Sequence, residues 1–267
     1  MTGCLRTKIL ATALAIAFAS VCSSPECAKA ADAAKAGSSV LVELFTSEGC
    51  SSCPPADSWL QQMDSSQPVS GVNLIVLSEH VDYWNHDGWK DPYSSHLLTD
   101  RQSDYVRALG LPSAYTPQVI VDGTTDLHVN DAQQVARAFQ NVASVAKVPM
   151  RISSIGFEGT NPVTMRAHVE ADGQLAERKG DIFIAIALDH ADSQVTHGEN
   201  GGRHLTHVAV AKELTKIGKL EKGKTFSQDV RLKLKAGAET TNIRVIAFVQ
   251  ESGPGKVLGA TVEKIEK

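Results

Sequence analysis

Two cysteines three residues apart, Cys50 and Cys53, are the side chains of this sequence whose type and spacing best fit redox chemistry. They follow an apolar run at residues 40–45, typical of a buried strand, and precede a helical pattern at residues 54–63. A helix N-terminus carries unpaired N–H groups and a partial positive charge, which favour the reactive thiolate. We therefore predict that Cys50 faces solvent as the nucleophile and that Cys53 resolves the mixed disulfide.

Three further residues are predicted to complete the site. Thr116 and Pro117 precede a strand pattern at residues 118–121, where a thioredoxin fold places a cis-proline beside its dithiol. The backbone of Thr116 is predicted to pair with an extended segment of a bound substrate. Glu43, the charged residue of the first strand, is predicted to accept a proton from Cys53, the alternative being an acid on an exposed strand face.

The elements that must position these residues follow from the hydrophobic pattern. Beyond the cysteines it predicts a strand at residues 74–77, a helix at 94–109, a hairpin at 118–129 and a helix at 132–146. The order βαβαββα predicts a thioredoxin-like α/β domain over residues 40–147. Seven short strand patterns then predict a small antiparallel β-sandwich-like domain over residues 148–267. They lie at residues 150–154, 163–169, 182–188, 207–212, 226–234, 243–249 and 257–262.

The first 30 residues are predicted to be a secretory signal peptide. Two basic residues precede an apolar run at residues 9–21, and a small-x-small cleavage site ends at Ala30. The run is shorter than the roughly 20 residues of a membrane span, so we expect no stable span and a periplasmic or secreted protein. A lipoprotein attached at Cys22 is the alternative. Cleavage after Ala30 would leave Cys50 and Cys53 as the remaining cysteines of the five.

The charge and composition exclude some classes of function. A formal net charge of −4 gives no support for nucleic-acid binding, which favours a basic face. No motif for a bound organic cofactor is present. One disulfide in an exported chain is also too few for a disulfide-framework fold.

Four stretches of the sequence carry a family resemblance: residues 46–57, 80–93, 115–118 and 198–207. Through them the chain resembles the DUF1223 family of secreted, thioredoxin-like bacterial proteins over residues 40 to 265. The resemblance implies a thioredoxin-like domain with an appended β domain and export from a Gram-negative cytoplasm. It implies no activity, because the family is defined by sequence. Ser51 and Ser52 differ from the Gly-Pro pair of thioredoxin itself, so the redox direction stays open.

The sequence thus predicts an exported thiol–disulfide oxidoreductase. Its expected partners are a protein thiol or disulfide substrate and a redox partner protein, and the C-terminal domain is expected to position partners or to form a homodimer. A copper-binding or copper-delivery protein is one alternative, because copper(I) suits two thiolates and an imidazole from residues 80–93. A partner-binding module that keeps a structural disulfide is the other.

Four histidines and one glycine-rich stretch also carry predictions. His80 and His86 are predicted to line the dithiol in a loop whose apolar wall consists of Tyr83, Trp84 and Trp89. His204 and His207 are predicted to be polar surface residues. A spacing of three on a strand points them to opposite faces and disfavours a shared ligand, whereas on a helix they could converge on one. Residues 198–202 are predicted to form a turn. They are not predicted to be a phosphate loop, because no Lys-Ser/Thr pair and no crossover helix follow them.

Overall fold

The first half of the fold alternates between strands and helices. In the computed structural model the structure describes residues 38–174, 176–235, 238 and 240–265, so the predicted leader, residues 1–30, lies outside the described residues. The elements of this half are β1 (Ser38–Thr46), α1 (Pro54–Ser66), β2 (Val72–His80), α2 (His96–Leu109), β3 (Gln118–Val121), β4 (Thr125–Leu127) and α3 (Ala132–Ala143). None of the helices in the described part is long and apolar enough to cross a membrane.

The second half is built from strands throughout its described residues. They are β5 (Met150–Glu158), β6 (Thr164–Ala171), β7 (Gly180–Gln194), β8 (His204–Leu220), β9 (Phe226–Lys233), β10 (Ile243–Gln250) and β11 (Val257–Ile265). Gly and Asn residues at positive φ mark several of the connections, among them Gly198 and Asn242.

Two sheets contain these strands. The larger has eight strands in the order β11-β10-β7-β8-β2-β1-β3-β4, and the smaller has three in the order β5-β6-β9. Strands β1 and β2 run parallel, with Val42 opposite Val76, whereas β3 pairs with β1 in the antiparallel direction. Strand β8 meets β2 at one pair, Ser78 and Val210, and is antiparallel to β7 over its length.

The predicted fold class is wrong. We expected a thioredoxin-like βαβαββα domain followed by a small antiparallel β-sandwich-like domain. Instead, β7, β8, β10 and β11 continue the sheet of β1–β4, which makes the protein a mostly β structure around one large mixed sheet. The physical reason is that β2 would otherwise expose an unpaired edge, and β8 covers it. Local hydrophobic patterns predict strands but do not encode which edges pair.

Strand β1 separates two parts of the core, because successive strand residues point to opposite faces. Val42 and Leu44 pack against the side of the sheet covered by α1, in one cluster with Leu60. On the other face, the ring of Phe45 contacts that of Tyr105 of α2, with centroids 5.9 Å apart. The apolar run that predicted a strand buried on both faces therefore holds α1 and α2 on opposite sides of the sheet.

The three-stranded sheet packs against the larger sheet through a third apolar cluster. Met165 and Val169 of β6 contribute one side, and Ile184 of β7 and Val245 of β10 contribute the other. These side chains are buried, as the alternating pattern of β6 predicts for a strand with one covered face.

Candidate functional site

Cys50 and Cys53 form a disulfide in the turn that joins β1 to α1, with their Cα atoms 5.5 Å apart. Cys53 is the N-cap of α1, and Pro54 occupies its first turn, where the missing proline N–H costs little. The N–H groups of Ala56 and Asp57 donate to the carbonyl of Cys53 and close the first helical turn. The cysteine pair thus lies at the helix end that favours negative charge.

The disulfide is buried, although Cys50 was expected to face solvent. Cys50 is 1% exposed and Cys53 is fully buried, whereas Ser51 and Ser52 between them are exposed. The Ser52 hydroxyl lies 3.4 Å from the Cys50 sulfur. A reactant must therefore displace part of the cover before it reaches this sulfur.

Residues 195–203, here called the asparagine loop, form one part of that cover. Asn200 is fully buried, and its amide donates to the carbonyls of Glu48 at 2.9 Å and Cys50 at 3.0 Å. The carboxylate of Glu199 accepts a hydrogen bond from the N–H of Ser51 at 3.1 Å, and the side chain and the backbone of Ser51 together lower the pKa of Glu199. Sequence reasoning found only a turn here, because nothing in the glycine-rich stretch identifies a distant partner.

Residues 81–95, here called the tryptophan loop, form the other part. The indole N–H of Trp84 donates to the hydroxyl of Thr116 at 2.8 Å, and that of Trp89 donates to Glu48 at 2.8 Å. The two loops touch at Gly198, whose φ is 73° and where an added Cβ would lie 3.2 Å from the Cβ of Trp89. A larger residue at 198 would force the loops apart.

Thr116 and Pro117 lie beside a cleft of about 350 Å³. Their peptide bond is cis, as predicted. Ala56, in the first turn of α1, also lines the cleft, so the cleft begins next to the helix end that carries the cysteines. The rings of Tyr115 and His128 stack at its border with centroids 6.2 Å apart. The structure thus brings the predicted substrate-binding pair into one cleft with Ala56, which follows Cys53 by three residues.

A cluster of buried titratable side chains adjoins the cysteine turn. Its members are Glu48 from the turn, Asp57 from α1, His80 from β2, Asp91 from the tryptophan loop and His207 from β8. His207 lies between two carboxylates, with Nε2 3.3 Å from Glu48 and Nδ1 3.5 Å from Asp57. Burial by itself lowers the pKa of His207, but the adjacent carboxylates of Asp57 and Glu48 outweigh the effect of burial and raise the pKa to about 9.

Asp91 connects this cluster to the tryptophan loop. Its carboxylate lies 2.7 Å from Nδ1 of His80 and accepts hydrogen bonds from the N–H groups of Glu48 and Tyr93. Burial raises the pKa of Asp91, but the charge and hydrogen bond of His80 and the two backbone hydrogen bonds outweigh it, and the pKa falls to about 2. The ring of His80 in turn stands edge-on to that of His207, with centroids 4.7 Å apart.

Glu43 is buried on the other face of the sheet from α1. Its carboxylate accepts hydrogen bonds from Arg101 at 2.7 Å and from Tyr105 at 2.5 Å, both on α2. Burial and the adjacent Glu43 carboxylate raise the pKa of Glu79, the next acid along this buried group. The structure therefore does not bring Glu43 to Cys53, because its strand neighbours Val42 and Leu44 are the residues that face α1.

The histidines predicted to line the dithiol separate in the structure. His80 is buried against Asp91, whereas His86 is exposed beside Asp87. In the described part of the chain, no group of three or more His, Cys, Asp or Glu side chains is placed to hold a metal ion.

His207 is the functional candidate that sequence reasoning assigned to the surface. His204 and His207 do point to opposite faces of β8, but His207 is buried and His204 is exposed beside Asp192. The signal that could have found it is the continuous apolar run at residues 208–211, which is typical of a central strand buried on both faces.

The DUF1223 family model, described as a protein of unknown function, matches residues 41–250. The chain belongs to the DUF1223 family. The family match covers the cysteine turn, both loops and the buried cluster of this DUF1223 protein, and it assigns no activity to them. No curated protein matches the chain.

Two solved structures resemble this DUF1223 protein over most of its length. Protein AGR_C_4864 from Agrobacterium tumefaciens is 28% identical, with a TM-score of 0.65, and the match covers 84% of this chain and 93% of that one. HBP35 of Porphyromonas gingivalis is 15% identical, with a TM-score of 0.60, and the match covers 86% of this chain and 76% of that one. At that identity the second likeness concerns the fold alone.

Proposed function

We propose that this protein is an exported thiol–disulfide oxidoreductase that acts on protein substrates through Cys50 and Cys53. The observation that carries the proposal is the position of the disulfide. It lies at the N-terminus of α1, and the cleft lined by Ala56, Thr116 and Pro117 begins one turn away. A helix N-terminus favours a cysteine thiolate, and the cleft offers a surface for an extended substrate segment.

The reaction proceeds by two thiol–disulfide exchanges. A substrate thiolate attacks the Cys50 sulfur, the Cys50–Cys53 bond breaks, and its electron pair stays on Cys53. A second substrate thiolate then attacks the substrate sulfur of the mixed disulfide and releases Cys50 as a thiolate. The substrate loses two electrons and gains a disulfide, while the cysteine pair gains two electrons and, on protonation, two protons. The reverse sequence reduces a substrate disulfide, and a redox partner protein restores the starting state.

Export fits this chemistry, because an oxidising compartment allows such a pair to hold a disulfide. The predicted leader, residues 1–30, is the basis for placing the protein in the periplasm or outside the cell.

The reduction potential of the Cys50–Cys53 pair tests the proposal. The mature protein is equilibrated in glutathione or dithiothreitol buffers and then alkylated. The number of alkylated cysteines gives the fraction of the protein whose disulfide was reduced. A potential between about −120 and −270 mV is expected for an exchange catalyst. A potential well below about −300 mV would identify a structural disulfide and refute the proposal.

A trapping experiment assigns the two sulfurs. Cys53→Ser is expected to accumulate a mixed disulfide with a peptide that contains a disulfide: the Cys50 thiolate attacks one peptide sulfur, the other peptide sulfur leaves as a thiolate, and no resolving thiol releases the adduct. Cys50→Ser serves as the matched variant and should not trap the peptide. Equal trapping by the two variants would contradict the assigned roles.

The burial of Cys50 favours a second candidate function, a partner-binding module with a structural disulfide. A buried cysteine away from solvent is generally inert. This candidate predicts that Cys50→Ser leaves partner binding unchanged and that the cover closed by Asn200 stays in place when thiols are added. The oxidoreductase predicts that the cover opens enough for glutathione to reach Cys50.

A further inference from the structure

Opening the disulfide creates a need for a proton inside the protein. In the proposed exchange Cys53 leaves as a thiolate, yet Cys53 is fully buried at the start of α1. An unpaired charge in such surroundings is strongly disfavoured, so the thiolate must take up a proton or lie close to a positive charge. Glu43 cannot meet this need directly, because it is bound to Arg101 and Tyr105 on the opposite face of the sheet.

Asp57 is the acid of α1 that lies nearest to this thiol along the helix. It follows Cys53 by four residues, and residues at that spacing lie one above the other on the same helix face. One oxygen of the Asp57 carboxylate accepts a hydrogen bond from the hydroxyl of Thr46 at 3.2 Å. The other has no hydrogen-bond partner among the described residues and lies 3.5 Å from Nδ1 of His207.

His207 joins Asp57 to the rest of the buried cluster. Its Nδ1 also lacks a hydrogen-bond partner in the described part of the chain, and its side chain is 1% exposed. The polar and aromatic groups around it are Glu48 from the cysteine turn, Asp57 from α1, His80 from β2 and Tyr93 from the tryptophan loop, and Asp91 lies behind His80, whose ring it contacts. Ala191 of β7 is the partner of His207 on the adjacent strand. Lys212 of β8 lies over the Tyr93 ring at 5.2 Å.

We propose that His207 is the proton reservoir of the cysteine pair, a positioning residue that exchanges a proton with Cys53 through Asp57. The inference rests on the proposed oxidoreductase function, in which β8 would supply the proton through His207. When a substrate thiolate attacks Cys50, the electron pair of the broken S–S bond arrives on the Cys53 sulfur. A proton passes from Nδ1 of His207 to the Asp57 carboxylate and from there to that sulfur, which leaves a neutral His207. In the opposite direction the Cys53 thiol returns its proton by the same route.

The charge state of His207 supports this role. Glu48 and Asp57 raise the pKa of His207 to about 9, so the imidazole holds its extra proton at neutral pH and can supply it. The return of that proton is favoured because both flanking carboxylates stabilise the imidazolium.

The test is the pH profile of disulfide opening in three proteins: wild type, His207→Gln and His168→Gln. Single-turnover reduction by dithiothreitol is measured from pH 6 to 10, and each rate is divided by the thiolate concentration of the reductant. Glutamine keeps a polar side chain of similar size but cannot titrate. His168 is the matched control, a histidine paired with Asp229 at 2.7 Å on the three-stranded sheet.

The corrected wild-type rate is expected to fall as the pH rises through about 9. His207→Gln is expected to react at least about 10-fold more slowly at neutral pH and to lack this fall, since general acid catalysis contributes a factor of that size or more. His168→Gln should follow the wild type. A His207→Gln profile equal to the wild-type profile would overturn the inference.

Two further results separate the possible failures. If wild-type disulfide opening is no faster than that of oxidised glutathione, the proposed function fails and the inference with it. If the wild type is fast and His207→Gln matches it, only the inference fails. Should His207→Gln not fold, NMR titration of the His207 ring in the wild type decides: different midpoints in the oxidised and reduced proteins are expected, and identical midpoints overturn the inference.

Discussion

At the scale of single residues, His207 links the stability of the fold to pH above neutrality. Its folded pKa of about 9 exceeds the ordinary value of 6.5, so the folded protein binds this proton more tightly than the unfolded chain. The contribution is complete below pH 6.5 and is lost as the pH rises through 9. At about 1.4 kcal/mol per pKa unit, about 3 kcal/mol of the unfolding free energy should disappear over this range.

Urea unfolding at pH 6.5 and 9.5 measures this loss. His207→Gln is expected to be less stable than the wild type at pH 6.5, because it leaves Glu48 and Asp57 without their cationic partner. Its stability should also change less between the two pH values. A variant that loses as much stability as the wild type would show that another group titrates.

Asp91 makes the opposite contribution on the acid side. Its folded pKa of about 2 is below the ordinary 3.8, so its stabilisation is present above pH 3.8 and is lost as the pH falls through 2. About 2 kcal/mol of the unfolding free energy is involved. Asp91→Asn should lower the stability at pH 6 and reduce the acid dependence, as measured by urea unfolding at pH 6 and pH 2.

Asp229→Asn is the matched control for Asp91, because its carboxyl is exposed on the three-stranded sheet. It should keep the acid dependence of the wild type. Equal acid sensitivity of Asp91→Asn and the wild type would contradict the structural account.

The residues that carry local signals could be predicted, and those that depend on distant contacts could not. The cysteine spacing predicted a disulfide pair at a helix start, and the Thr116–Pro117 step predicted a cis bond. Glu43 was predicted to accept a proton from Cys53 because it is the charged residue of its strand. Whether Glu43 can reach Cys53 depends on which face of β1 packs against α1. The residues of β1 do not determine that face, because it is set by packing with the rest of the chain.

At the scale of elements, the asparagine loop is expected to control access to the disulfide. Asn200→Ala removes the donors for two buried carbonyls, those of Glu48 and Cys50. Leaving buried acceptors unpaired costs about 1–3 kcal/mol each, which should appear in the unfolding free energy. The loosened cover should also let dithiothreitol reduce the disulfide faster, as followed by alkylation of the released thiols.

Asn141→Ala is the control for this substitution, because Asn141 is exposed on α3. It should leave both the unfolding free energy and the rate of reduction near the wild-type values. If Asn200→Ala loses stability but is reduced no faster, the asparagine loop stabilises the fold without limiting access.

Hydrophobic periodicity predicted where most helices and strands lie in the chain, but it did not predict how long they are. The strand at residues 118–121 and the start of the helix at residue 132 agree with the structure. Strands β7 and β8 were predicted as short segments, yet they span Gly180–Gln194 and His204–Leu220. Their outer residues are partly exposed and polar, so pairing with each other rather than burial extends them.

At the scale of the whole molecule, the candidate site depends on both halves of the chain. The first half supplies the cysteines, Asp57 and the cis-proline cleft, and the second supplies Asn200 and His207. They meet because β8 lies beside β2 in the eight-stranded sheet. Such long-range pairing is set by complementary edges and faces, which local patterns do not reveal.

This arrangement predicts that residues 38–147 will not form a stable protein alone. Without β8, the edge of β2 loses its covering strand, and Val208 and Ala209 leave the apolar cluster that includes Leu60. An exposed strand edge above an incomplete core favours aggregation over folding. Size-exclusion chromatography and proton NMR of this fragment should show aggregation or an unfolded chain, whereas residues 38–267 should be folded. A monomeric fragment that unfolds cooperatively would instead establish an independent N-terminal domain, and the proton route through His207 would then have to be tested as an interaction between two domains.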